Sequence, residues 1–78
     1  MKLLTKIVKT RLKEILDERG LSIRGFAFGN ELSFETVRRL YNNTAKQYQR
    51  ETLGRICDVL DIKIEDLLYI TEDDSKDS

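Results

Sequence analysis

The chain has 78 residues, 40% apolar and 36% charged with six aromatics, and its 14 basic and 14 acidic groups cancel. A chain this short buries only about 60% of the surface that its unfolded form exposes, which leaves room for one small core and none for a second domain. A single cysteine, Cys57, and no histidine exclude an internal disulfide and a Cys/His metal centre.

Leu4, Val8, Leu12, Ile15 and Leu16 recur at helical spacing, so a first helix is expected from a Thr5 cap to Arg19, with Gly20 free to take the left-handed conformation that ends it. Ser22 is placed to cap a second helix through Phe28, whose buried side is Ile23, Phe26 and Ala27, and Gly25 inside it carries a propensity cost of about 1 kcal/mol. Gly29-Asn30-Glu31 reads as a turn, and Leu32 as an inward residue after it. Ser33 caps a third helix, Phe34 to Tyr41, with Val37 and Leu40 inward and Asn43 as a left-handed end.

Ala45 to Gln49 loses the pattern and is expected to be a polar loop. Leu53, Ile56, Cys57 and Leu60 stand at i, i+3, i+4 and i+7, which makes one stripe of a fourth helix from about Arg50. After a turn at Asp61, Ile62 and Ile64 lead to a short fifth helix carrying Leu67 and Leu68. Residues 71–78 are acidic and polar and read as a disordered tail. The expectation is thus an all-α, compact five-helix domain over residues 1–70, followed by that tail.

The zero net charge conceals a polarity along the chain. Residues 1–55 hold twelve basic and six acidic groups, a net of +6, and residues 56–78 hold two and eight, a net of −6. Such asymmetry lets one face meet a polyanion. No Gly-rich phosphate loop, nucleophile-and-base pattern or ligand cluster is present in the sequence, so neither an enzyme nor a cofactor, metal or small-molecule substrate is expected. The opening residues lack the apolar stretch of a signal peptide and no run approaches a membrane span, so the expected location is cytoplasmic, without membrane association.

Five short helices with a tight turn between the second and third resemble the phage repressor and Cro-type (XRE-like) helix-turn-helix proteins. The resemblance is carried by Arg11-Leu12-Lys13, Arg19-Gly20-Leu21-Ser22, Phe26-Ala27, Leu32-Ser33, Thr36-Val37, Arg39-Leu40, Asn42, Glu51-Thr52-Leu53, Ile56-Cys57, Leu60-Asp61 and Asp66-Leu67-Leu68, over roughly residues 8–70. Glu31 departs from it where the family usually has glycine, and Gly25 and Phe28 where it usually has polar helix formers.

The resemblance implies a transcriptional regulator whose third helix enters the major groove of double-stranded DNA while the second crosses the backbone. Phe34, Glu35, Arg38 and Arg39 are then the candidates for base contact, with Arg39 leading because a guanidinium fork matches guanine O6 and N7. Glu35 is placed to accept from cytosine N4 and Phe34 to meet a thymine methyl group, with Thr36 a weaker candidate. Phosphates are assigned to Ser22, Asn42, Thr44, Lys46, Gln47 and Arg50. The apolar end of the domain implies a homodimer contact at Tyr69 or Ile70. The rival expectation is a protein-interaction module on the same fold, of the antitoxin or antirepressor-partner kind, using Phe34 and Tyr41.

Overall fold

The computed structural model describes residues 5–73, in the order β1 (Thr5–Thr10), α1 (Leu12–Glu18), α2 (Ile23–Gly29), α3 (Phe34–Asn42), α4 (Arg50–Leu60), α5 (Ile64–Leu67) and β2 (Leu68–Asp73). The five helices surround nine buried apolar residues: Leu12 and Leu16 of α1, Phe26 and Ala27 of α2, Val37 and Leu40 of α3, Ile56 and Leu60 of α4, and Leu67 of α5. Ile15, Ile23, Leu32, Leu53 and Cys57 pack around them.

The chain is not all-α. β1 and β2 form a two-stranded antiparallel sheet in the register Thr5↔Asp73, Val8↔Ile70 and Thr10↔Leu68. The first helix therefore starts at Leu12 and not at Thr5. Thr5, Ile7, Val8 and Thr10 are β-branched, which disfavours helix and suits a pleated surface, and the partner Leu68-Tyr69-Ile70-Thr71 is just as rich in strand formers. Leu68, expected on the fifth helix, opens β2, and that helix is a single turn. Thr71 to Asp73, expected within the acidic tail, end the strand; the remainder of that tail, residues 74–78, lies outside the described residues.

The helix boundaries follow local chemistry. The Thr10 hydroxyl accepts from the Leu12 amide at 3.3 Å at the start of α1, and Gly20 takes φ +69° as the Leu21 amide reaches back to the Leu16 carbonyl at 2.9 Å. Ser22 caps α2 by accepting from the Gly25 amide at 2.9 Å. A Cβ on Gly25 would stand 3.0 Å from that same hydroxyl oxygen, so the glycine leaves room for the cap. Ser33 caps α3 in the same way, from the Thr36 amide at 3.3 Å.

Between α2 and α3, Asn30 donates its side-chain amide to the Phe26 carbonyl at 2.8 Å, and the Leu32 amide closes on the Ala27 carbonyl at 2.8 Å. The residue that turns left-handed between them is Glu31, at φ 58°. Asn43 and Asp61 do the same after α3 and α4, where short polar side chains tolerate that conformation; a glutamate gains no such relief. Asn43 also acts at long range. Its side chain accepts from the Thr10 amide at 2.8 Å and donates to the Thr10 carbonyl at 3.1 Å.

Two glycine substitutions at left-handed positions should therefore have opposite signs. Glu31→Gly removes the backbone penalty and raises stability by about 0.5–1 kcal/mol after the entropy of the unfolded glycine is counted. Asn43→Gly keeps the backbone conformation but deletes both bonds to Thr10, and lowers stability by about 1–3 kcal/mol. Urea denaturation midpoints at constant slope check both.

Candidate nucleic-acid interface

The α2–turn–α3 unit is assembled around Ala27 and Val37, both fully buried. A small side chain at Ala27 lets α3 approach closely, and Phe26 and Leu40 complete the inward side. The outward side of α3 then presents Glu35, Arg38 and Arg39, with Arg39 57% exposed. Asn42 ends the helix on the surface, and Thr44 follows, also exposed.

Glu35 is not a free carboxylate. It holds Arg38 in a two-pronged ion pair, with Arg38 Nε at 3.3 Å from Oε1 and Arg38 Nη2 on Oε2, and Arg39 Nε stands 3.3 Å from the same Oε2. The hydrogen bond from Arg38 holds the Glu35 carboxyl below its ordinary range, and the same bond raises Arg38. The side chain expected to accept from cytosine is thus already occupied by the two arginines expected to contact bases.

Phe34 is half-buried. Its ring lies 6.4 Å from that of Phe28, and the Arg24 guanidinium sits over both, 5.2 Å from the Phe34 centroid and 5.7 Å from the Phe28 centroid. Phe28 itself is 62% exposed. Arg24 is a residue that the sequence reading misses, although its i, i+4 spacing to Phe28 on α2 is a usable signal.

Beside α3 lies a concavity of about 600 Å³, between the helix, the 44–49 loop and the first turns of α4. It gathers Arg38, Arg39, Thr44, Lys46 and Gln47 of the expected contacts, together with Thr36, and no carboxylate lines it. Ser22, Asn42 and Arg50 are not among its lining residues. Ser22 stands at the exposed start of α2, its oxygen already accepting from Gly25 and its O–H free to donate. Arg50 opens α4, almost fully exposed, with Glu51 at 3.6 Å. The loop is held by Tyr48, whose hydroxyl donates to the Val8 carbonyl at 3.2 Å.

Tyr69 and Ile70, the expected dimer contacts, lie on β2. The Arg11 guanidinium covers the Tyr69 ring at 4.2 Å, whereas Ile70 is 64% exposed. Cys57 is half-buried on the inner stripe of α4, and burial pushes its thiol up, which keeps it protonated and poorly nucleophilic. Among the described residues no group of three or more His, Cys, Asp or Glu is arranged to hold a metal ion, and no helix is long and apolar enough to cross a membrane.

The outward face of α3 is braced from behind. Asp17 of α1 accepts from Lys13 at 2.9 Å and from the Tyr41 hydroxyl at 2.7 Å, and Lys13 lies over the Tyr41 ring at 5.2 Å. These bonds, Lys13 first, hold the Asp17 carboxyl below its ordinary value. The stability it contributes is therefore present above the ordinary carboxylate range and is lost as pH falls through the depressed value. Asp17→Asn should melt below the wild type at neutral pH, and the two should converge in strong acid; thermal denaturation across that range measures the convergence.

Known proteins place this geometry in a family. The chain matches the Cro/C1-type HTH DNA-binding domain over residues 11–73. No curated protein matches the chain. Its fold is similar to that of a Bacteroides fragilis protein of known crystal structure, described as a "putative DNA-binding protein", with a TM-score of 0.69, 22% sequence identity, 81% of this chain covered and 100% of that one. The five buried-core helices, the Ser-capped α3 and the family match over 11–73 together make the chain a member of the Cro/C1-type helix-turn-helix DNA-binding domain family.

Proposed function

We propose that the protein is a sequence-specific transcriptional regulator of the cytoplasm that binds operator DNA by placing α3 in the major groove. The observation that carries this reading is the Arg38–Arg39 side of α3, where Glu35 pairs with both guanidinium groups, continuing into the Thr44, Lys46 and Gln47 lining of a concavity that no carboxylate lines. Side chains that read bases and side chains that hold phosphates then follow one another along a single surface.

Arg39 is the leading base reader, with Arg38 and Phe34 beside it. Glu35 contributes chiefly by holding both guanidinium groups on the groove side of the helix, in place of the cytosine contact expected of it. The Ser22 hydroxyl, Asn42, Thr44, Lys46, Gln47 and Arg50 bind phosphates, and Arg24, held over Phe28 and Phe34, extends that basic edge. Two copies, paired through the end of the domain that carries Tyr69 and Ile70, place their third helices in successive major grooves about 34 Å apart on a near-palindromic site. No catalytic step or cofactor enters this reading.

A second reading is favoured by Phe28, a large ring left 62% exposed at the leading end of α3. It makes the same fold a protein-interaction module, of the antitoxin or antirepressor-partner kind. Tyr41 offers this reading little, because its hydroxyl and ring are engaged by Asp17 and Lys13.

Binding measured against salt on a selected site and on random duplex separates the readings. A regulator prefers its site by roughly a thousandfold or more, with a log-log salt slope near −5 if about six phosphates are neutralised per dimer. An interaction module binds neither duplex. Arg39→Ala should lose about 1–3 kcal/mol at one base step and little on random DNA. Lys46→Ala should weaken both duplexes alike and flatten the slope by about 0.9 for each phosphate left without its cation; equal losses for Arg39→Ala on the two duplexes remove it as a reader.

A further inference from the structure

The two edges of the β1–β2 ribbon are not equivalent. The Arg11 amide donates to the Leu67 carbonyl at 2.7 Å, so Arg11 and Leu67 occupy a hydrogen-bonded position of the ladder. Antiparallel pairs alternate. Lys9/Tyr69 and Ile7/Thr71 therefore exchange bonds across the ribbon, while Thr10/Leu68, Val8/Ile70 and Lys6/Glu72 turn their amides and carbonyls to the outer edges.

On the β1 side the chain covers its own edge. Asn43 takes both the amide and the carbonyl of Thr10, and Tyr48 takes the carbonyl of Val8. On the β2 side the Leu68 amide is spent on the Ile64 carbonyl of α5. What remains on that edge is the Leu68 carbonyl, the amide and carbonyl of Ile70, and the amide and carbonyl of Glu72, and among the described residues no side chain is bonded to them.

That set complements itself. In an antiparallel pairing of β2 with a second β2 about a two-fold axis at Ile70, each Ile70 amide meets the other copy's Ile70 carbonyl, and each Glu72 amide meets the other copy's Leu68 carbonyl. The one amide missing from a regular ladder, that of Leu68, is the one already used by α5. Side chains agree with the backbone. Tyr69 faces Thr71, Ile70 faces Ile70, and Glu72 faces Leu68, so no like charges are opposed.

Ile70 and Val8 stand opposite one another on one side of the ribbon, 64% and 41% exposed. Pairing would merge them with their copies into an apolar strip across four strands. A two-stranded ribbon is marginal in water, and more strands with an apolar face supply what it lacks.

We propose that the free edge of β2 is the dimerisation edge, and that its occupant is β2 of a second copy, forming a continuous four-stranded antiparallel sheet. The inference rests on the homodimer reading given above and specifies its backbone contacts. Proline is tolerated where a strand amide points off the edge, and Ile70 meets that condition, since the bonds to β1 come from Tyr69 and Thr71. Ile70→Pro deletes both central bonds of the pairing and leaves the ribbon's own ladder intact. Ile70→Lys keeps the backbone and sets two ammonium groups against each other at the axis.

Sedimentation equilibrium of the full chain without DNA tests the edge, with circular dichroism and urea melts to establish that each variant is folded. The wild type should dimerise, and folded Ile70→Pro should self-associate about thirtyfold more weakly. Folded Ile70→Lys should be monomeric at the same concentration, which keeps the test open if the proline variant fails to fold. A wild type that stays monomeric at high micromolar concentration overturns the proposal and leaves the edge to a foreign strand. Folded variants that dimerise as well as the wild type overturn it too, while leaving a homodimer through another surface. Because no DNA is present, neither failure bears on α3 as the reading helix, which the duplex titrations test separately.

Discussion

The side-chain amide of Asn43 meets the backbone of Thr10 as a neighbouring strand would, giving one hydrogen bond and taking one, while the Thr10 hydroxyl donates to the Leu40 carbonyl at 2.7 Å. Thr10 is the one buried polar residue among those described, and burying a threonine is tolerable because these bonds satisfy it. Three elements meet here. The bonds join the root of β1, the start of α1 and the C-terminal end of α3, so the far end of α3 is set by the ribbon and its near end by Ala27 and Val37.

Most of the helical frame was legible because it is written locally. The Ser22 and Ser33 hydroxyls, the Gly20 and Asn43 helix ends, and the Leu53-Ile56-Cys57-Leu60 stripe each concern residues within a few turns of one another. The N-terminal strand was not legible in that way. Leu4, Val8 and Leu12 match a helical stripe, and the pairing that overrides it joins Thr10 to Leu68, a partner far outside any window in which periodicity is read. The same distance hid the second task of Asn43, whose position as a helix end was plain while its bonds to Thr10 were not.

The candidate interface divides along the same line. Individual basic and polar side chains stood out by type, and Arg38, Arg39, Lys46 and Gln47 do come together beside α3. What a list of residues could not supply was their engagement. Glu35 lies at i, i+3 and i, i+4 from the two arginines, a spacing that favours pairing, yet only the fold shows one carboxylate serving both. Arg24 depends on juxtaposition still more, since the second ring beneath it belongs to the next helix. The zero net charge was uninformative because a domain needs a local field and not a total one.

The ribbon and α3 are mechanically one piece. Edge strands invite pairing, and a chain that left both edges open would be prone to uncontrolled strand addition. Here Asn43 and Tyr48 close one edge, and the residues that close it are the same ones that anchor α3 and the 44–49 loop. A second copy added at the other edge would therefore be joined to both copies of α3 through ordered sheet and direct hydrogen bonds, with no flexible linker between. The spacing of the two α3 helices in such a pair would then be a property of sheet register, which is set by the backbone. On the proposed reading, side-chain changes along α3 would alter which bases are read without altering how far apart the two readings are made.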